Sequence, residues 1–172
     1  MSDQKIIVSY SDKKNSSGKV LEGTIYLNIS SRLSPQEKER HISKLTGKLA
    51  EKISWAQRYQ FESAEGIVKT DEELFRLAQT INKEYYNFVF NKIEFHKQNS
   101  TWGTCSLKTR QIFISHRLIG APMELLWYVI THELCHLGEP SHNQRFWQMV
   151  SRACPRYEEC RKMLKAYGLQ LR

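Results

Sequence analysis

The chain has 172 residues, 40% hydrophobic and 26% charged, with a net charge of +8. These proportions are ordinary for a globular protein, and the length fits one domain with a real core. The longest apolar run, Leu125 to Ile130, is far too short to span a membrane, and the opening MSDQKIIVSY lacks the cationic start and apolar stretch of a secretory leader.

In chain order, Ile6 to Tyr10 and Val20 to Ile29 read as strands, joined by a polar turn through Asn15-Ser16-Ser17-Gly18. Ser34-Pro35-Gln36-Glu37 is a helix start, and that helix is expected to reach about Tyr59. Its interior Gly47 is a weak spot, costing ~1 kcal/mol relative to Ala. Residues 62–66 read as loop. Thr70-Asp71-Glu72-Glu73 starts a second helix towards Phe90, with Leu74, Leu77, Ala78, Ile81 and Tyr85 as its inward stripe. Ile93 to Lys97 and Arg110 to Ser115 read as strands flanking a block at Trp102. Residues 142–154 and 157–167 read as closing helices. The order predicts an α+β fold in one domain, residues 1–172, with strands and a helix in 1–60 and the functional core in 61–172.

The chemistry concentrates between those last strands and helices. His132-Glu133-Leu134-Cys135-His136 reads H-E-x-x-H. On a helix, residues four apart share a face, so His132 and His136 can hold one metal ion with Glu133 beside it as general base. The flanks predict that helix. Pro122 suits a first turn. Leu126, Ile130, Leu134 and Leu137 make an apolar face. Gly138 and Pro140 then end the helix. Imidazoles and a carboxylate in a buried helix need partners, and a metal supplies one.

A catalytic zinc usually takes three protein ligands and leaves one position for water. His142, six residues beyond His136, is the favoured third ligand; Glu158 and Glu159 are the rivals. Ser141 to Gln144 fits a capping box, which predicts His142 in the first turn of a new helix. Zinc in such a site lowers the pKa of water towards ~7, and Glu133 would take the proton. Tyr128, Tyr157, His116 and Arg156 are the candidates for stabilising an oxyanion.

Three blocks resemble the YgjP-like metallopeptidase family, zincin-type hydrolases related to the SprT-like proteases. They are Trp102-Gly103-Thr104-Cys105-Ser106, then Gln111 to Ser115 with Leu118 and Pro122, and then Tyr128 to Leu137 with His142 and Phe146-Trp147. The resemblance spans roughly residues 100 to 165, with Thr104 standing where the family pattern has Ser. It implies a zincin-like α+β domain, a small mixed sheet packed on the H-E-x-x-H helix, with one Zn2+ on His132, His136 and His142 and a catalytic Glu133. In zincin-like folds an edge strand pairs with an extended peptide, and Gln111 to Ser115 is the expected edge.

Four cysteines (105, 135, 154 and 160) form no C-x-x-C pair and are expected as free thiols in a reducing, cytoplasmic compartment. Residues 141–172 carry seven basic and two acidic side chains. That patch could attract nucleic acid, a phosphorylated substrate or an acidic protein. The leading expectation is a zinc-dependent peptidase acting on peptide or protein. A metal-dependent hydrolase of a nucleotide or other phosphate ester, and a protease of nucleic-acid-associated proteins, stay open beside it.

Overall fold

The computed structural model describes residues 5–21, 23–61 and 68–171, so the expected loop at 62–66 lies outside the described residues. The fold is α+β, and the chain groups into two compact units, residues 1–60 with 163–172, and residues 61–162.

The first unit is a three-stranded sheet with a helix on it. Strand β1 (Ile6–Ser11) pairs in parallel with β3 (Thr24–Ser30), and β2 (Ser17–Leu21) pairs antiparallel with β3. The expected single strand from Val20 to Ile29 is thus two strands. They are separated by a tight turn in which Gly23 takes φ +69, a left-handed conformation open to glycine at little cost. Alternation on β3 turns Ile25, Leu27 and Ile29 inward, where they pack with Leu49 and Ile53 of α1 (Pro35–Ala56). Helix α1 starts at the expected capping box, Ser34 accepting from the Glu37 N–H and Glu37 accepting from the Ser34 N–H. It stops three residues before Tyr59.

The second unit holds helix α2 (Asp71–Tyr85), a second three-stranded sheet, and helices α3 (Met123–His136) and α4 (Gln144–Ala153). Helix α5 (Tyr157–Gln170) begins within this unit. Helix α2 ends five residues before Phe90. Its Asn82 side chain captures the backbone beyond the helix, donating to the Phe88 carbonyl at 2.7 Å and accepting from the Phe88 N–H at 2.9 Å. Side-chain capture of this kind competes with continued helix.

The sheet order is β4 (Lys92–His96), β6 (Gln111–Ser115), β5 (Gly103–Ser106). Strand β6 pairs in parallel with β4 and antiparallel with β5. The expected edge strand, Gln111 to Ser115, is therefore the central one. Its composition agrees in retrospect, since Ile112 and Ile114 are fully buried. The Trp102 block supplies the edge instead, as β5. Helix α3 packs against this sheet with Leu125, Leu126, Ile130 and Leu134 all at 1% exposure or less. Trp127 Nε1 donates to the Ala153 carbonyl at 2.9 Å, and the Tyr86 hydroxyl donates to the Met149 carbonyl at 2.9 Å, so α4 is tied to both α3 and the end of α2. No helix among the described residues is long and apolar enough to cross a membrane.

Candidate metal centre

His132, Glu133 and His136 all come from the last turn and a half of α3. The ring centroids of His132 and His136 are 4.9 Å apart, as helical spacing requires. His142 arrives from the other side of a short turn. It does not sit in the first turn of α4 as the Ser141 capping box predicts. Asn143 is the cap, its side chain accepting from the Phe146 N–H at 3.1 Å, while the Ser141 N–H is taken by the Glu139 carboxylate at 3.2 Å. His142 thus stands just outside the helix, free of helical geometry and exposed.

The three imidazoles each offer a nitrogen, and these atoms lie within 4.8 Å of one another. Nε2 of His142 and Nε2 of His132 are 3.0 Å apart. Two neutral imidazole nitrogens that close can share an N–H···N hydrogen bond, or each can give a lone pair to a shared cation. His136 directs Nδ1 at the Glu139 carbonyl, 3.2 Å away, which favours a proton on Nδ1 and leaves Nε2 as the donor. Burial, and then the neighbouring His136, His142 and Arg161, hold the His132 imidazole down to about 3, so its ring is neutral at neutral pH. Its Nδ1 is buried with no hydrogen-bond partner among the described residues. The donor set therefore fits a divalent cation of borderline softness. Phe146 floors the cluster, its ring centroid 4.9, 4.7 and 4.7 Å from those of His132, His136 and His142.

Glu133 is 5% exposed, and burial pushes its carboxyl up to about 8. A cation nearby would favour the ionised form instead. Glu133 and His136 line an open cleft of ≈ 330 Å³ whose opposite wall is β5 with Gly103, Thr104 and Cys105. Gly103 is the site residue whose role the sequence leaves hidden. A Cβ there would stand 2.5 Å from Glu133 Oε1.

The other expected candidates are more scattered. Among the described residues, neither Glu158 nor Glu159 joins the histidine cluster. Glu159 instead pairs with Arg156 at 2.6 Å, on the surface. Tyr128 lies one turn before His132, their ring centroids 6.0 Å apart, and Tyr157 stacks on Trp147 at 5.1 Å. His116 belongs to a short 3₁₀ turn (His116–Leu118) after β6. The four cysteines are free. Cys105 is half-buried in the cleft wall, with its thiol pushed up to about 11 by burial and by Glu133. Cys154 and Cys160 face each other with Sγ atoms 3.6 Å apart.

A helix presenting two histidines to a third, beside a sheet edge, is an arrangement suited to metal-dependent hydrolysis. Residues 2–167 match the family model described as YgjP-like, metallopeptidase domain, and the chain belongs to that family. Two solved structures are similar over part of the chain. One is the metallopeptidase zymogen abylysin of Pyrococcus abyssi, 22% identical with a TM-score of 0.49, the match covering 54% of this chain and 93% of that one. The other is the metallopeptidase zymogen jannalysin of Methanocaldococcus jannaschii, 23% identical with a TM-score of 0.43, covering 54% and 94%. No curated protein matches the chain.

Proposed function

We propose that this protein is a zinc-dependent peptidase in which His132, His136 and His142 hold one Zn2+ and Glu133 is the general base. The observation that carries the reading is the convergence of three imidazole nitrogens within 4.8 Å, together with a buried carboxyl in the adjoining cleft. Three nitrogen ligands and one open position are the usual catalytic zinc set. The exposure of His142 leaves that open side to solvent and substrate.

Zinc bound there supplies Lewis acidity, lowering the pKa of water and polarising a carbonyl. The chain's own groups do the rest. Glu133 accepts the proton of the attacking water at its carboxylate and delivers it to the leaving amine. The His136 contact to Glu139 orients one ligand ring. Among the described residues strand β5 pairs with β6 on one side only, so its other edge can pair with an extended peptide and carry the scissile bond past Glu133. The family match runs through both compact units, which supports reading them as one functional domain. A cytoplasmic location, where the four thiols stay reduced, goes with this reading.

The test is elemental metal analysis followed by a substrate panel. About one zinc per chain and cleavage of peptides, lost on chelation and restored by zinc, would support the proposal. Phosphate release from nucleotides with every peptide left intact would replace it with a phosphate-ester hydrolase.

A further inference from the structure

One cation stands on the same aromatic platform as the histidines without serving as a ligand. The guanidinium carbon of Arg161 lies 4.8 Å from the centroid of the Trp147 ring. That ring is 5.7 Å from His142 and 6.0 Å from His132, centroid to centroid. Trp147 is itself fixed, with Nε1 donating to the His142 carbonyl at 3.1 Å and Tyr157 stacked at 5.1 Å. Arg161 is exposed. Among the described residues it makes no ion pair, whereas nearby Arg156 is neutralised by Glu159.

A guanidinium without a protein counter-charge adds like-charge repulsion near a bound cation, which solvent screens in part. An anion on the bound substrate would relieve it. A stacked guanidinium is also oriented in advance, so its planar fork can take a carboxylate with two parallel N–H···O bonds. An isolated lysine on a flexible stem could not be so positioned. Monatomic counter-ions such as chloride would screen the charge, yet they would not use the fork.

Building on the peptidase reading, we propose that Arg161 determines specificity: seated on Trp147, whose ring neighbours His132 and His142, it takes the side-chain carboxylate of an Asp or Glu in the peptide substrate. The rest of the acidic residue's contact falls on the Trp147 edge, and the carboxylate charge balances the guanidinium and the metal together.

The experiment measures binding in the zinc-loaded Glu133→Gln protein, which removes turnover from the readout. Peptide pairs differ only in Glu against Gln, moved along the sequence one position at a time. At one position the Glu peptide should bind about fivefold tighter, the upper range for a solvent-exposed ion pair, and the preference should shrink with added salt. Adding Arg161→Gln should abolish it, and Arg161→Lys should keep part of it. Lys162→Gln removes the same net charge and should leave it intact. No preference at any position overturns the proposal, and so does a preference that survives Arg161→Gln or disappears equally with Lys162→Gln. Should Arg161→Gln fail to fold, the Glu and Gln peptides on the Arg161 protein, with Arg161→Lys, still decide. An acid preference with no cleavage of the same peptides by the Glu133 protein sinks the peptidase reading and leaves Arg161 its role. Cleavage without an acid preference does the reverse.

Discussion

Gly103 of β5 presses on Glu133 of α3 so closely that a Cβ on the glycine would lie 2.5 Å from Oε1 and 2.6 Å from Cγ of the glutamate. Real side chains essentially never approach so near, so any other residue here must move Glu133. Gly103→Ala should therefore swing the carboxyl away from the cleft while leaving the histidines untouched. If Glu133 is the base proposed above, a loss of at least about tenfold in kcat/KM is expected, because small misplacements of a catalytic group are costly. Zinc content should remain that of the unmodified protein. Activity within a factor of two of normal would show that Glu133 has room to adjust.

Glu133→Gln keeps the shape and removes the proposed base. Zinc content should be unchanged, and kcat should fall by about 10²–10⁴, the usual contribution of general acid–base catalysis. Single-turnover peptide cleavage checks this. Equal rates for the two proteins would remove Glu133 from the chemistry.

His142→Ala separates the histidine site from a site completed by a glutamate. With one of the three proposed ligands gone, zinc content after dialysis should drop well below one per chain. The rise in melting temperature on adding zinc should shrink with it, since ligand binding to the folded state stabilises it by mass action. Glu159→Gln breaks only the surface pair with Arg156 and should leave zinc uptake alone. The opposite pattern would reassign the third ligand.

Asn82→Ala tests a structural link to the same site. Its amide makes two hydrogen bonds to the Phe88 backbone. The Phe88 ring in turn packs at Gly138, where a Cβ would stand 2.7 Å from Cζ. Losing both bonds should destabilise the fold by about 1–3 kcal/mol, the cost of backbone groups left without partners. Urea unfolding with an unchanged m-value measures it. Stability within a few tenths of a kcal/mol would mean that water replaces the amide.

Much of α3 was legible in the sequence because its information is local. Two histidines four residues apart on an apolar helix must share a face, and Gly138 and Pro140 must end it nearby. The starts of α1 and α2 were legible for the same reason, each set by a hydroxyl cap and a glutamate three residues on. Errors arose where two local signals competed. Ser141 and Asn143 can each cap a helix; Asn143 takes the role by accepting from the Phe146 N–H, and Glu139 instead of Gln144 accepts from the Ser141 N–H. In the run from Val20 to Ile29 the β-branched residues outweighed Gly23 in the reading, yet the glycine makes the turn.

The sequence by itself determined the motif helix, the shared face of its two histidines and the family to which the chain belongs. Periodicity and family blocks act over short stretches of chain, so they survive without a fold. Tertiary structure alone decided that β6 is central and β5 the edge, since strand order depends on pairing between segments far apart in sequence. It also decided that Gly103 abuts Glu133 and that Arg161 settles on Trp147. These are relations between surfaces brought together by packing, and no local pattern encodes them.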